Sequence, residues 1–291
     1  MKRIDTHFTL LLQGGLGNQL FQFFAGKYFA FHSGIPVKFG VRGLGSQSMH
    51  LNSDIRDFKF TIFDEFNYPA DSTKCKRVLD RGEFYLARKL PKYGTYRRIV
   101  TINQVDYSGE IELNEGDKVI GYFQCNRYHK EYRNVFGEID WIPSFSPKFE
   151  HENQSEISST KNVIVHVRGG DFLRAQNSNL NLSRDYYENA LKSLDLGKNA
   201  KIFVFTDDFN HADSLLRGIP NLVFVNQKEL RASQVLFLMS TAKNLVVSNS
   251  TFSYWAAIAS SARVVAPNRW LTNAPEVINL YPGDWDIISS N

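Results

Sequence analysis

The 291-residue chain is 43% hydrophobic and 14% aromatic with a net charge of +4, which excludes a disordered polypeptide and supplies apolar surface for two cores of about 150 residues each. Its two cysteines, Cys75 and Cys125, exclude a disulfide framework and have no metal-ligand spacing, and no apolar run approaches the roughly 20 residues of a membrane span. With no signal-peptide pattern at the N-terminus, a soluble, cytoplasmic protein is expected.

Phe8 to Gln13 is a short apolar run that reads as a strand, and Asn18 to His32 carries Leu20, Phe21, Phe24, Tyr28 and Phe31 at helical spacing. Between them lies Gly14-Gly15-Leu16-Gly17-Asn18-Gln19, whose glycines let backbone N–H groups approach a ligand at a helix N-terminus. The third glycine of a dinucleotide fingerprint is replaced by Leu20, which disfavours a nicotinamide enzyme. Asn18 and Gln19 suit sugar hydroxyls or a phosphate oxygen; Asn18 equally suits a helix cap.

From Gly34 to about Thr61 the pattern is mixed and glycine-rich. Residues 74–98 then carry nine basic side chains against two acidic ones, with Phe84, Tyr85, Leu86, Leu90, Tyr93 and Tyr96 interleaved. Such a segment fits peripheral contact with the inner face of an anionic membrane or a lipid-linked acceptor; a solvated helix face with snorkelling basic side chains explains it as well. A strand at 118–124 and a helix at 126–136 follow, and the polar stretch 143–161 reads as an interdomain linker.

Beyond the linker, strands at 162–167, 201–205, 222–225, 245–247 and 263–266 alternate with helices at 183–194, 211–217, 232–242 and 251–260, the pattern of a parallel sheet wrapped by helices. The first of these strands ends in His166-Val-Arg168-Gly-Gly-Asp171, where open α/β sheets hold ligands and a guanidinium can grip a phosphate bidentately. Thr206-Asp207-Asp208 ends the next strand and is suited to ordering a loop or accepting hydrogen bonds from a nucleotide. Adjacent aspartates point different ways, so neither they nor the Asp284-Trp-Asp286 of the tail is read as a metal centre; no metal, cofactor or nucleic-acid partner is expected. Ser248-Asn249-Ser250-Thr251 opens the last helix with hydroxyls and free N–H groups, which with Arg168 would neutralise a leaving pyrophosphate without a divalent ion.

Four blocks in order, Gly14 to Gln22, Gly121-Tyr-Phe-Gln124, His166 to Asp171 and Ser248 to Trp255, with weaker echoes at Asp185-Tyr-Tyr187, Thr206 to Asp208, Leu238-Met-Ser240 and Asp284-Trp285, make the chain resemble the bacterial α-1,2-fucosyltransferases of glycosyltransferase family 11. The resemblance implies a GT-B-like α/β architecture of two Rossmann-like domains facing a cleft, an acceptor-side domain at 1–150 and a nucleotide-sugar domain at 160–291. It implies a metal-independent, inverting transfer of L-fucose from GDP-β-L-fucose to the 2-hydroxyl of a terminal β-galactoside in an O-antigen or capsular glycan. By position, Arg168 would bind the donor's phosphates and stabilise the departing charge, His166 would help hold the nucleotide, Asn18 would lie near the fucose and the glycosidic oxygen, and Ser248, Asn249, Ser250 and Thr251 would contact phosphate and nucleotide. Asp171, the carboxylate nearest in sequence to this motif, is the candidate third catalytic residue, as base or as a group that orients Arg168 or the sugar, and Gly15, Gly17, Gln19, Thr206, Asp207 and Asp208 complete the expected donor site.

Two positions depart from the family: Gly169 stands where a second arginine is usual, and Gln234-Val235 where relatives carry an acid that contacts guanine. These departures keep open a related donor such as GDP-colitose, or a non-catalytic sugar-nucleotide or glycan-binding protein. A protein O-fucosyltransferase would need a signal sequence and paired cysteines.

Overall fold

The structure is a computed structural model that describes residues 6–40, 55–61, 66–67, 98–104, 106–143, 153–170, 181–270 and 280–290. The basic stretch up to residue 97, Cys75 and Asp171 lie outside the described residues. The chain divides into two compact units, Met1–Arg56 with Phe60–Ile139, and Asp57–Lys59 with Asp140–Asn291.

The first unit is a five-stranded parallel sheet in the order β3-β2-β1-β5-β4, formed by Phe8–Leu11 (β1), Val37–Gly40 (β2), Phe66–Asn67 (β3), Ile99–Thr101 (β4) and Lys118–Ile120 (β5). Helix α1, Leu16–Ser33, is apolar on nearly every side, and Phe23, Phe24, Ala25 and Phe29 are buried. It stops at Gly34, whose left-handed φ of 69° lets its N–H reach Ala30 O, the arrangement only glycine adopts without strain. The core is aromatic: Phe23 stacks on Phe39 of β2 at 5.0 Å between centroids, and Phe29 meets Phe123 and Tyr128 edge-on. Helix α2, Asn126–Phe136, is capped by the buried Cys125, whose Sγ accepts from Arg127 N.

Four of the observed strands have no counterpart in the sequence pattern. Strands β2, β3 and β4 are too short, or lie in stretches too rich in glycine or charge, to show a period, and the fourth is β11 (Asp286–Ile288) in the tail. Asp286 of that edge strand is ion-paired at 2.9 Å to Arg263 of the neighbouring strand, which gives this carboxylate of the Asp-x-Asp a structural role.

The second unit holds a six-stranded parallel sheet in the order β11-β10-β9-β6-β7-β8, from Val163–Val167 (β6), Ile202–Thr206 (β7), Leu222–Phe224 (β8), Asn244–Val246 (β9), Arg263–Pro267 (β10) and β11. Its helices are α3 (Gln154–Ile157), α4 (Arg184–Leu194), α5 (Phe209–Leu216), α6 (Ala232–Ser240) and α7 (Thr251–Ile258). Strand β6 is buried along its whole length, which explains its unbroken Val-Ile-Val-His-Val run. Part of the stretch read as a linker is folded: α3 buries Ile157, and Asn162 donates to Glu156 O.

Asp57–Lys59, from the N-terminal half of the sequence, belong to this second unit. Asp57 is buried and accepts from Arg231 Nε at 3.0 Å, Arg231 Nη2 at 2.8 Å and Ser233 Oγ at 2.9 Å, while Phe58 bridges to Pro143 and packs edge-on against Trp141. Losing one partner of a buried pair costs roughly 3–5 kcal/mol, less where the other partner can rehydrate, and Arg231 is half-exposed. Asp57→Ala should therefore destabilise the second unit by about 2 kcal/mol, read as a lowered urea midpoint; an unchanged midpoint contradicts this role.

Candidate active site

Strand order decides where ligands bind in an open parallel sheet, because the crevice lies where the order reverses. In the second unit β6 is followed outward by β7 and β8, after which the chain returns to the other side of β6 for β9, β10 and β11. The reversal falls between β6 and β9, so the loops carrying Arg168 and Ser248 emerge side by side at the carboxyl end.

The joint between them is a hydrogen bond of 2.7 Å between Ser248 Oγ and His166 Nδ1. Either tautomer of the ring can make this bond, with Nδ1 accepting the Ser248 proton or donating to Oγ, and the Ser253 hydroxyl lies 3.4 Å from Ser248 Oγ on the other side. Burial, and secondarily the charge of Arg168, lowers the His166 pKa to about 3, so the ring is neutral at physiological pH. Two tyrosines of α4 brace the backbone beneath: Tyr186 donates to Val247 O at 2.5 Å and Tyr187 to His166 O at 3.4 Å, both fully buried. The role of the Asp185-Tyr-Tyr187 block is thereby explained, and sequence spacing alone gave no sign of it.

Arg168 is paired with Asp207 at the end of β7, Nη1 to Oδ2 at 2.5 Å, and Asp207 Oδ1 also accepts from Gly169 N at 2.7 Å. Asp207 therefore ties the loop after β6 to the loop after β7 and holds the guanidinium. Gly169 is glycine for a steric reason: a Cβ there would stand 2.5 Å from Asp208 Cβ. The missing second arginine thus follows from the close approach of two loops.

Other expected donor contacts are engaged inside the fold. Asp208 caps α5 by accepting from His211 N at 3.1 Å, and Thr206 Oγ1 accepts from Asp208 N at 3.0 Å. Ser250 caps α7, accepting from Phe252 N, and Thr251 is the first residue of that helix. Asn249 turns to the loop after β10, donating to Trp270 O at 2.8 Å. Gln234 accepts from Arg231 N to cap α6 and Val235 is buried, so neither is placed as the missing guanine-reading acid.

In the first unit the order reverses between β1 and β5, which brings Gly14 to Gln19 beside Gly121 to Gln124. The backbone turn is made at Gly14, with φ of 78°, while Gly15 is the extended N-cap of α1 and Gly17 lies in its first turn. Gln19 is fully buried, donating to Gly14 O and accepting from Ile55 N, so both ends of its amide are engaged in building the loop. Asn18 does not cap the helix; its Oδ1 accepts from Gln124 Nε2 at 2.9 Å. The residue before Gln124, the fully buried Phe123, sits at φ of 56°, a left-handed conformation costing a bulky side chain on the order of 1–3 kcal/mol and commonest at functional sites.

Two buried histidines make stability pH-dependent. His166 (about 3) and His129 (about 4, lowered by burial and then by Arg133) stay neutral in the fold while an unfolded histidine protonates near 6.5. The unfolded chain then binds more protons, so stability is full above about pH 6.5 and falls with pH toward 4, by about 1.4 kcal/mol per pH unit for each group. Denaturation midpoints at pH 7.5, 6 and 5 should show this, and His166→Gln should lose less between them than the wild type; equal losses contradict the assignment.

Comparison with known proteins places this architecture. The family described as Glycosyl transferase family 11 matches residues 117–275, more than half of the chain. The O-antigen biosynthesis glycosyltransferase WbnK of Escherichia coli is 27% identical over 89% of this chain and 93% of its own length, and an α-1,2-colitosyltransferase of Escherichia coli is 25% identical over 94% and 90%. The NodZ α-1,6-fucosyltransferase of Bradyrhizobium, in a crystal structure with GDP, shares the fold with a TM-score of 0.52 at 16% identity, covering 89% of this chain and 93% of that one. Among the described residues no helix is long and apolar enough to cross a membrane. Two Rossmann-like units of the GT-B class and a family match over most of the second unit make this chain a glycosyltransferase belonging to glycosyltransferase family 11.

Proposed function

We propose that the protein is an inverting, metal-independent transferase that moves L-fucose from GDP-β-L-fucose to the 2-hydroxyl of a terminal β-galactoside in an O-antigen or capsular glycan. The observation that carries this is Arg168 at the strand-order reversal, held by Asp207 and flanked by the neutral His166. In an inverting displacement the acceptor oxygen bonds to the anomeric carbon as the bond to the GDP oxygen breaks. The enzyme must therefore stabilise charge growing on the diphosphate. A guanidinium already oriented by a carboxylate and a neutral His166 protonated on Nε2 would supply that stabilisation without reorganising, each donor being worth about 3–4 kcal/mol. Arg168 should pass from Asp207 to the diphosphate or bridge both, leaving Asp207 as the group that returns it to place.

Asp171, the carboxylate nearest in sequence to Arg168, is our proposal for the group that receives the acceptor proton. Leaving-group departure ahead of proton transfer makes a strong base unnecessary. A second donor, GDP-colitose, is favoured by the colitosyltransferase among the relatives. Purified protein incubated with GDP-fucose or GDP-colitose and a β-galactoside, followed by free GDP and glycan product, separates the two; no product from either donor defeats the transferase reading.

Arg168→Ala should lower kcat at least 100-fold while the melting temperature stays within a few degrees, and Arg168→Lys should recover little, because a point charge cannot form the planar fork. Near-normal turnover by either contradicts the assignment. Gly169→Arg, which restores the usual family residue, should weaken GDP binding in calorimetry because its Cβ collides with Asp208; tighter binding would show that the loops part readily.

A further inference from the structure

The first unit contains a polar pair that the diphosphate chemistry does not use. Asn18, in the first turn of α1, and Gln124, just beyond β5, meet across the reversal of strand order through the 2.9 Å bond from Gln124 Nε2 to Asn18 Oδ1. Three observations show that this meeting is built. The strained φ of Phe123 turns the chain immediately before Gln124. Gly14 has no side chain where a Cβ would stand 2.7 Å from Asn18 Nδ2, so the loop closes down on that amide. Gln124 is only 8% exposed, yet its Oε1 is buried with no hydrogen-bond partner among the described residues.

A buried amide oxygen without a partner carries a desolvation cost that a native fold keeps only where a ligand or water meets it. The bond to Gln124 also decides which half of the Asn18 amide is offered. With Oδ1 engaged, the donor atom of Asn18 is Nδ2, and the atom of Gln124 that still lacks a partner is the acceptor Oε1. A donor and an acceptor carried by two amides joined in this way match one chemical group well, the hydroxyl, which takes a hydrogen bond on its oxygen and gives one through its proton.

We infer that Gln124 is a positioning residue of the transfer reaction. It orients the Asn18 amide with Nδ2 toward substrate and uses its own Oε1 to accept from the sugar hydroxyl that Asn18 Nδ2 donates to. The ligand class is a pyranose hydroxyl, and the inference rests on the glycosyltransferase reading given above. It concerns the sugar and not the nucleotide, whose diphosphate is assigned to Arg168 in the other unit.

The test uses the full-length protein and two readouts, transfer kinetics with GDP-fucose and a β-galactoside, and GDP affinity by calorimetry. Gln124→Met, which keeps length and removes both polar atoms, should lower kcat/KM at least tenfold with GDP affinity within twofold of wild type. Gln124→Glu keeps accepting oxygens but has no N–H for Asn18 Oδ1, and should lose activity similarly; it serves where the methionine variant does not fold. Combining Asn18→Ala with Gln124→Met should cost no more than about twice the worse single change, because each residue acts through the other. Wild-type turnover by both Gln124 variants, multiplication of the two single losses in the double variant, or a fall in GDP affinity matching the loss of activity would each overturn the pairing. A wild-type protein that transfers no sugar would overturn the transferase reading and this inference with it, an outcome distinct from an active wild type with indifferent Gln124 variants.

Discussion

The hydrogen bond between Ser248 and His166 is the interaction that joins the carboxyl ends of the central strands of the second unit. It exists because the sheet runs outward from β6 in one direction and then in the other, so that residues 82 apart in sequence end their strands as neighbours. Its consequence is chemical. The bond fixes the orientation of the imidazole, and burial keeps the ring neutral. The buried hydroxyls of Tyr186 and Tyr187 hold the two carbonyls that flank the joint, so the geometry is maintained from below as well as across.

The charges beside that joint are arranged with restraint. Arg168 is pinned by Asp207, and the two glycines after it allow the β6 and β7 loops to approach within van der Waals contact. Gly170, at φ of 52°, would bring a Cβ within 2.8 Å of Asp207 Oδ2. A guanidinium held by a resident carboxylate is well defined in direction.

The first unit repeats the device with neutral groups. Asn18 and Gln124 also meet where the strand order reverses, so each unit joins two of the four sequence blocks by one side-chain hydrogen bond. Blocks about a hundred residues apart in sequence are thereby two halves of one local structure. Gln19 shows the opposite case: a residue of the right type inside a motif can be spent entirely on building the loop.

Read alone, the sequence determined the alternation of strands and helices after residue 160, the glycine turn ahead of α1, and the presence of His166, Arg168 and Ser248 at strand ends. Those features follow from local periodicity and from the few residue types that turns and caps accept. Folding decided the rest. The short strands β2, β4 and β11 form only because neighbours supply their hydrogen bonds, and Thr206, Asp208 and Ser250 prove to be caps and turn residues because nearby N–H groups claim their oxygens. Which charged group faces Arg168, which hydroxyl holds the His166 ring and which half of the Asn18 amide Gln124 engages are set by contacts between segments 39 to 106 residues apart. Side-chain chemistry of that kind depends on distance in space, and the linear order of residues does not contain it.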